Sequence, residues 1–248
     1  MNKPAKKINP LDSDLIKIAE AKHHDPFSVL GRHTDKAKTT ITAYLPHAET
    51  VSIVGQKVAM QRIAGSDFFR TDNVPKTLER YYRFEITDKS GHYYEQYDPY
   101  SFDTQLPEFD QHLFGEGKHW HIYKKLGAHL HTIEGIQGVL FTVWAPAAGR
   151  VSVVTEFNNW DGRCHPMRVL GSSGIWELFI PGLNAGCLYK FEILNRDSQQ
   201  IKVKTDPYGQ QFEFRPQTAS RVVNEEAYAW QDKKWIDKRL KHDWLSEA

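Results

Sequence analysis

The chain has 248 residues, 40% of them hydrophobic and 25% charged, with a formal net charge of +1. That length suits two domains of ordinary globular composition, and scattered basic residues near charge balance give no electrostatic reason to expect nucleic acid as a partner. No apolar run approaches the ~20 residues of a membrane span, and the opening Met1-Asn2-Lys3-Pro4-Ala5-Lys6-Lys7 leads into no signal-peptide core. Cys164 and Cys187, the only two cysteines, make no disulfide framework, so a cytoplasmic protein is expected.

In chain order, residues 11–20 read as a short helix, with Asp12 or Ser13 as its cap and Leu15, Ile18 and Ala19 on one face. Pro26 stops it. Phe27, Val29 and Leu30 look buried, and Gly31 turns the chain. From Thr40 the pattern becomes β, with Ile41 and Ala43 alternating with Thr42 and Tyr44. Val51, Ile53 and Val54, then Phe68-Phe69, then Tyr81 to Ile86 follow as short strands at sandwich-like spacing.

The same order then returns. Thr42-Ala43-Tyr44-Leu45-Pro46 matches Thr142-Val143-Trp144-Ala145-Pro146, and Val51-Ser52-Ile53-Val54 matches Val151-Ser152-Val153-Val154, an offset of 100. Tyr82-Arg83-Phe84-Glu85-Ile86 matches Tyr189-Lys190-Phe191-Glu192-Ile193 at 107, and Asp98-Pro99-Tyr100 matches Asp206-Pro207-Tyr208 at 108. Collinear matches at nearly constant offset indicate an internal duplication, so the predicted class is all-β: two tandem immunoglobulin-like β-sandwiches, each with its own core. The widening offset puts 7 extra residues into the second copy's connection between its Val154 and Trp176. That connection holds Phe157-Asn158-Asn159-Trp160-Asp161-Gly162, where the first copy offers only Gly55-Gln56-Lys57.

The predicted boundaries are an N-terminal helical segment (1–20), a first sandwich (21–105), a linker with short helices (106–137), a second sandwich (138–226) and an amphipathic tail (227–248). In the linker, Phe109 to Phe114 and Tyr123 to Leu126 read as short helices, and residues 101–137 show no β alternation. The linker histidines His112, His119, His121, His129 and His131 match no ligand spacing and read as surface residues. In the tail, Trp235, Ile236, Leu240 and Trp244 form an imperfect helical stripe with Trp230 and Leu245 nearby. Such a stripe needs a body to dock on, and the chain's ending at Ala248 directly after it is read as a missing following domain.

The sequence offers no phosphate loop, nucleophile elbow or metal motif, so neither catalytic residues nor cofactors nor metals are expected. The two Asp-Pro-Tyr stretches read first as turns. Sugar binding fits better. A pyranose presents an apolar C–H face and a hydroxyl rim, and wants a flat aromatic with hydrogen-bonding groups around it. Trp160 supplies the platform, Asn158, Asn159 and Asp161 the edge partners, and Lys190 a strand-borne donor matching Arg83 of the first copy.

These residues resemble the N-terminal region of bacterial 1,4-α-glucan (glycogen) branching enzymes. The resemblance is carried by His24-Asp25-Pro26-Phe27-Ser28-Val29-Leu30-Gly31, Lys125-Leu126-Gly127-Ala128-His129, Phe141-Thr142-Val143-Trp144-Ala145-Pro146, the Phe157–Arg163 stretch with His165-Pro166-Met167-Arg168, Gly174-Ile175-Trp176-Glu177-Leu178-Phe179-Ile180-Pro181-Gly182, and Arg215-Pro216-Gln217-Thr218-Ala219-Ser220. It implies a second sandwich of the isoamylase-N-terminal, glycogen-binding type, placed before an eight-fold βα barrel that performs retaining transfer of α-1,4 segments to α-1,6 branches. A barrel needs ~250 residues, so the resemblance implies a non-catalytic front portion, inactive alone, with α-glucan and the barrel as partners. It also implies sugar contacts at Trp160 and Lys190. Related glucan-binding modules place a second aromatic on the next hairpin, which here reads Asp197-Ser198-Gln199-Gln200-Ile201, so binding is expected to be weak, about −4 kcal/mol. A stand-alone binding module and a purely structural scaffold stay open as alternatives.

Overall fold

The computed structural model describes residues 12–35, 38–56, 58–224 and 230–242. Helix α1 (Ser13–Ala19) follows Asp12 and buries Leu15 and Ile18. The chain then turns at Gly31, whose φ is +88° and whose absent Cβ would meet the Tyr100 carbonyl oxygen at 2.8 Å. Only glycine fits that approach.

The first sandwich is built from β1 (Gly31–Asp35), β2 (Lys38–Tyr44), β3 (Ala48–Ile53), β4 (Val58–Ala59), β5 (Gln61–Arg62), β6 (Phe68–Thr71), β7 (Arg83–Asp88) and β8 (Tyr93–Tyr97). Sheet β1-β2-β6-β5 faces sheet β4-β3-β7-β8 across Ile41, Val51, Ile53, Phe69, Phe84 and Ile86. The alternation read in β2 is blunted, because Thr42 and Tyr44 are buried as well. The outer face of β2 and β6 is covered by Leu15, Ile18 and Leu30, which pack on Tyr44 and Phe68.

The chain then runs through α2 (Glu108–Gly115) and a short turn at Ile122–Lys124 to the second sandwich. This sandwich holds β9 (Gly127–Ile133), β10 (Ile136–Trp144), β11 (Ala148–Thr155), β12 (Arg168–Val169), β13 (Ile175–Pro181), β14 (Leu188–Asn195), β15 (Ile201–Lys204), β16 (Gln211–Phe212) and β17 (Ser220–Arg221). Sheet β12-β13-β10-β9 faces β11-β14-β17-β16, with β15 also on β14. The stretch read as linker therefore contains strand β9 and the start of β10, a correction to the expected boundary at 138. Strand β9 is half-exposed and carries His129, His131 and Thr132 among its apolar residues, so no clean alternation marks it.

The duplication is visible in the registers. Val51 faces Ile86 and Ile53 faces Phe84; Val151 faces Ile193 and Val153 faces Phe191. Each ladder has an irregularity at the matching place, between Ala48 and Thr50 and between Ala148 and Arg150. The Tyr82 hydroxyl donates to Asp98 at 2.5 Å and the Tyr189 hydroxyl to Asp206 at 2.5 Å. Asp98 and Asp206 also accept the Tyr100 and Tyr208 amides at 3.0 and 2.8 Å. Asp98 and Asp206 are thus buried pins of their turns.

Two buried charge networks join the sandwiches. Arg150, fully buried, donates from Nε to the Ala21 carbonyl and from Nη2 to Glu192 Oε1, both at 2.8 Å. Glu177, also fully buried, accepts the amides of Gln105 and Leu106 at 3.1 and 2.7 Å and faces Arg168 at 3.4 Å. The Arg168 guanidinium lies 3.9 Å from the Phe27 ring centre, the close stacking by which a cation gains from an aromatic face.

Helix α3 (Lys233–Lys241) occupies part of the tail, and Trp235, Ile236 and Leu240 are exposed on it. Trp244 and Leu245, read as part of the same stripe, lie outside the described residues.

Candidate functional site

The seven-residue excess can now be placed. Ala59 pairs with Ser52 and Pro166 bridges to Ser152, so Ala59 and Pro166 are equivalent. Five residues separate Ile53 from Ala59 and twelve separate Val153 from Pro166, a difference of seven. The insertion is therefore residues within 154–165.

Its path is set by local chemistry. Thr155 ends β11 and caps a single turn, Glu156–Asn158. The Thr155 hydroxyl accepts the Phe157 amide at 2.8 Å and Asn158 Oδ1 accepts the Thr155 amide at 2.9 Å, the reciprocal arrangement of a capping box. Asn159 and Trp160 then both take left-handed conformations, φ 55° and 58°. Asparagine tolerates this; a bulky side chain there is strained by ~1–3 kcal/mol and persists only when its surroundings insist on it. The insistence comes from the Trp160 amide donating to the Thr155 carbonyl at 2.9 Å and the Asp161 amide to Asn158 at 3.0 Å. Trp160 emerges 39% exposed.

The predicted edge partners separate. Asn159 is exposed beside Trp160. Asn158 is buried, with Nδ2 donating to the Val153 carbonyl and to His165 Nδ1, each at 2.9 Å. Its side chain is thus engaged by Val153, His165 and Thr155, so Asn158 frames the loop from within, where the sequence reading made it an edge partner. Asp161 grips Arg163, with Oδ2 to Nη2 at 2.7 Å; burial raises its carboxyl, the Arg163 bonds more than offset that, and it lies below its usual range. His165 must keep Nδ1 unprotonated to accept from Asn158, and burial pushes its pKa down to about 4.

Lys190 is half-buried on β14 opposite Val154, one pair from Thr155 at the loop's base. In the first copy Arg83 pairs with Glu95 at 2.8 Å. By register, Glu85 faces Glu95 and the matching Glu192 faces Val203, so the acid that holds Arg83 is missing opposite Lys190. The hairpin after β14 is closed by Asn195 Oδ1, which accepts the Asp197 and Ser198 amides at 3.0 and 2.8 Å, and it presents no aromatic ring.

Sequence reasoning passes over Phe157, which is 49% exposed with its ring 5.8 Å from that of His165. The signal was available: Phe157 lies in the same insertion as Trp160. Among the described residues, the group spaced to hold a metal ion is His47, Asp161 and Cys164, with ligand atoms within 4.8 Å of one another. Arg163 already occupies Asp161, and burial pushes the Cys164 thiol up to about 12; both work against a cation there.

Two family models match the chain: alpha-1,4-glucan branching enzyme GlgB, N-terminal domain, over residues 12–100, and carbohydrate-binding module 48 (isoamylase N-terminal domain) over residues 125–209. The 1,4-alpha-glucan branching enzyme GlgB of Methylococcus capsulatus is 52% identical over 235 residues, covering 95% of this chain and 32% of that protein. That of Cellvibrio japonicus is 50% identical over 244 residues, covering 94% of this chain and 33% of that protein. The chain thus spans about a third of the length of these relatives.

Proposed function

Because the chain belongs, domain by domain, to the branching-enzyme N-terminal family and to carbohydrate-binding module 48, we propose that it holds α-1,4-glucan on the Trp160 loop and supports a catalytic domain of glycogen biosynthesis in the cytoplasm. The observation that carries this reading is the strained, outward Trp160, kept in a costly conformation by a buried frame. In this reading the indole ring takes the apolar face of one glucose unit. Asn159 and Lys190 contact its hydroxyl rim, with Lys190 uncommitted to the acid that occupies Arg83. With one platform, affinity is about −4 kcal/mol, a millimolar Kd, enough to tether a polymer that presents many chain ends.

The supporting role rests on helix α3, which exposes Trp235, Ile236 and Leu240 as a surface for a larger body. Among the described residues no helix is long and apolar enough to cross a membrane, and charge balance favours no nucleic acid. The chain by itself is read as inactive, its family's chemistry belonging to a barrel. Native electrophoresis in gels containing glycogen is the test: retarded migration, lost in Trp160→Ala, is expected. Unretarded migration of the unmodified chain overturns the glucan reading and leaves a scaffold.

A further inference from the structure

A cavity of about 350 Å³ opens between the two sandwiches. Its first-sandwich side includes His47 and Tyr94, and its second-sandwich side includes Phe157 and Asn159. The volume is at the lower end of the range for small-ligand pockets. Neither half could be read from the repeat, because each is a departure from it. The loop that supplies Phe157 and Asn159 is the seven-residue insertion, absent from the first copy. Tyr94 faces Ile86, and at the matching place Ile193 faces Lys202, so the aromatic exists only in the first copy. The two departures meet at one cavity.

The walls suit a sugar. Tyr94 and Phe157 keep 37% and 49% of their surface exposed, an apolar cost that a ring-shaped ligand with C–H faces would remove. Gln96, His47 and Asn159 place an amide, an imidazole and a second amide on the same lining, the mix of donors and acceptors that a hydroxyl rim needs. The pocket is preformed. Its lining residue Tyr100 donates its hydroxyl to the Pro166 carbonyl at 3.3 Å and packs edge-on against Phe27 at 5.0 Å. Asn158 and His165 fix the loop from behind. A rigid pocket loses little ordering entropy on binding.

We propose that this inter-sandwich cavity is a second glucan subsite, taking the end of a short α-glucan between Tyr94 and Phe157, apart from the Trp160 platform. The choice of ligand class rests on the proposed function above; the existence of a second site does not.

The experiment is a maltotriose titration of the full chain followed by amide and indole NMR shifts. Movement of the Tyr94 and Gln96 amides as well as the Trp160 indole is expected. Trp160→Ala should retain the movement at Tyr94 and Gln96. Tyr94→Ala should weaken it about tenfold, as loss of an aromatic stack predicts, while the Trp160 indole still responds. Tyr94→Phe, which preserves the ring, should restore it. If Tyr94→Ala loses the dispersion of a folded spectrum, Phe157→Ala makes the same test from the opposite wall. Movement of the Trp160 indole alone overturns this subsite and leaves the proposed function standing. Disappearance of all movement in Trp160→Ala also overturns it, since one site would then account for everything. No movement anywhere overturns both.

Discussion

In the first sandwich Arg70 lies half-exposed opposite Thr42, its Nε 3.1 Å from the threonine hydroxyl. At the matching place in the second, Glu177 faces Thr142 and is fully buried. Thr50 of the first copy is exposed, and Arg150 of the second is fully buried. Ser52 donates to Glu85 at 2.8 Å, and the matching Ser152 and Glu192 are bridged by Arg150. Most shared residues build the ladders, whereas Arg150, Glu177 and the 154–165 insertion, which the first copy lacks, build the seam and the candidate site.

The largest test of that comparison is Glu177→Ala against Arg70→Ala. Removing Glu177 strands the Gln105 and Leu106 amides and leaves Arg168 buried beside no acid. Breaking a buried pair by one partner costs about 3–5 kcal/mol. Arg70→Ala, at a half-exposed site, should cost under about 1 kcal/mol. Urea unfolding of both variants measures this, and near-equal losses would break the asymmetry claimed between the copies.

His165 comes next, and it has no titrating equivalent, since Val58 occupies the matching position. Its pKa drops from 6.5 to about 4 in the folded chain because burial disfavours the charged ring. The unfolded chain therefore takes a proton first as pH falls through 6.5. The stability this neutral ring contributes is fully present above 6.5 and is lost progressively down to about 4. At 1.36 kcal/mol per pKa unit the loss approaches about 3 kcal/mol. The measurement is the difference between the unmodified chain and His165→Gln in urea midpoint across pH 7.5 to 4.5. A difference that stays flat with pH would show the imidazole to be ordinary.

Much of this molecule was legible in its sequence, because the repeat states its own register. Val51 and Val151 occupy equivalent ladder positions, and Tyr82 and Tyr189 each donate to the aspartate of their own copy's Asp-Pro-Tyr turn. Strand β9 was missed because an edge strand half in water needs no apolar alternation. The start of the repeat was nonetheless written there: Leu30-Gly31-Arg32-His33 returns as Leu126-Gly127-Ala128-His129, and in each the histidine Nε2 lies 2.9 Å from the leucine carbonyl. The framing role of Asn158 is not legible in the sequence, because asparagine in a turn is usually solvated and the Val153 carbonyl and His165 ring that hold it come together only on folding. The seam cavity was out of reach, since Tyr94 and Phe157 meet only through the packing of two domains.

Asn158→Ala should separate frame from platform. Losing a buried amide that bridges three partners costs about 1–3 kcal/mol, read by thermal unfolding. Glycogen retardation should fall with it, because Trp160 loses its support. An unchanged melting temperature would mean that the loop holds its shape without this residue.

The smallest expected effect has the most informative sign. Trp160 sits at φ 58°, where glycine is at ease and a large side chain is strained by ~1–3 kcal/mol. Trp160→Gly relieves that strain and gives back ~0.5–1 kcal/mol through a more flexible unfolded chain. Strain relief less that entropy is ~0–2.5 kcal/mol, and losing the covered part of the indole surface works against it, so the net should be a stabilisation of no more than about 1 kcal/mol, alongside complete loss of glycogen retardation. Trp160→Ala removes the same ring but keeps a Cβ in the left-handed region, so it should lose retardation without the gain in stability. A residue whose removal strengthens the fold and abolishes binding is held there for its ligand. Were Trp160→Gly instead to destabilise the chain by more than about 1 kcal/mol, the ring would be packing against the sandwich. The insertion would then differ from the first copy only as a thicker cover over the same sheet.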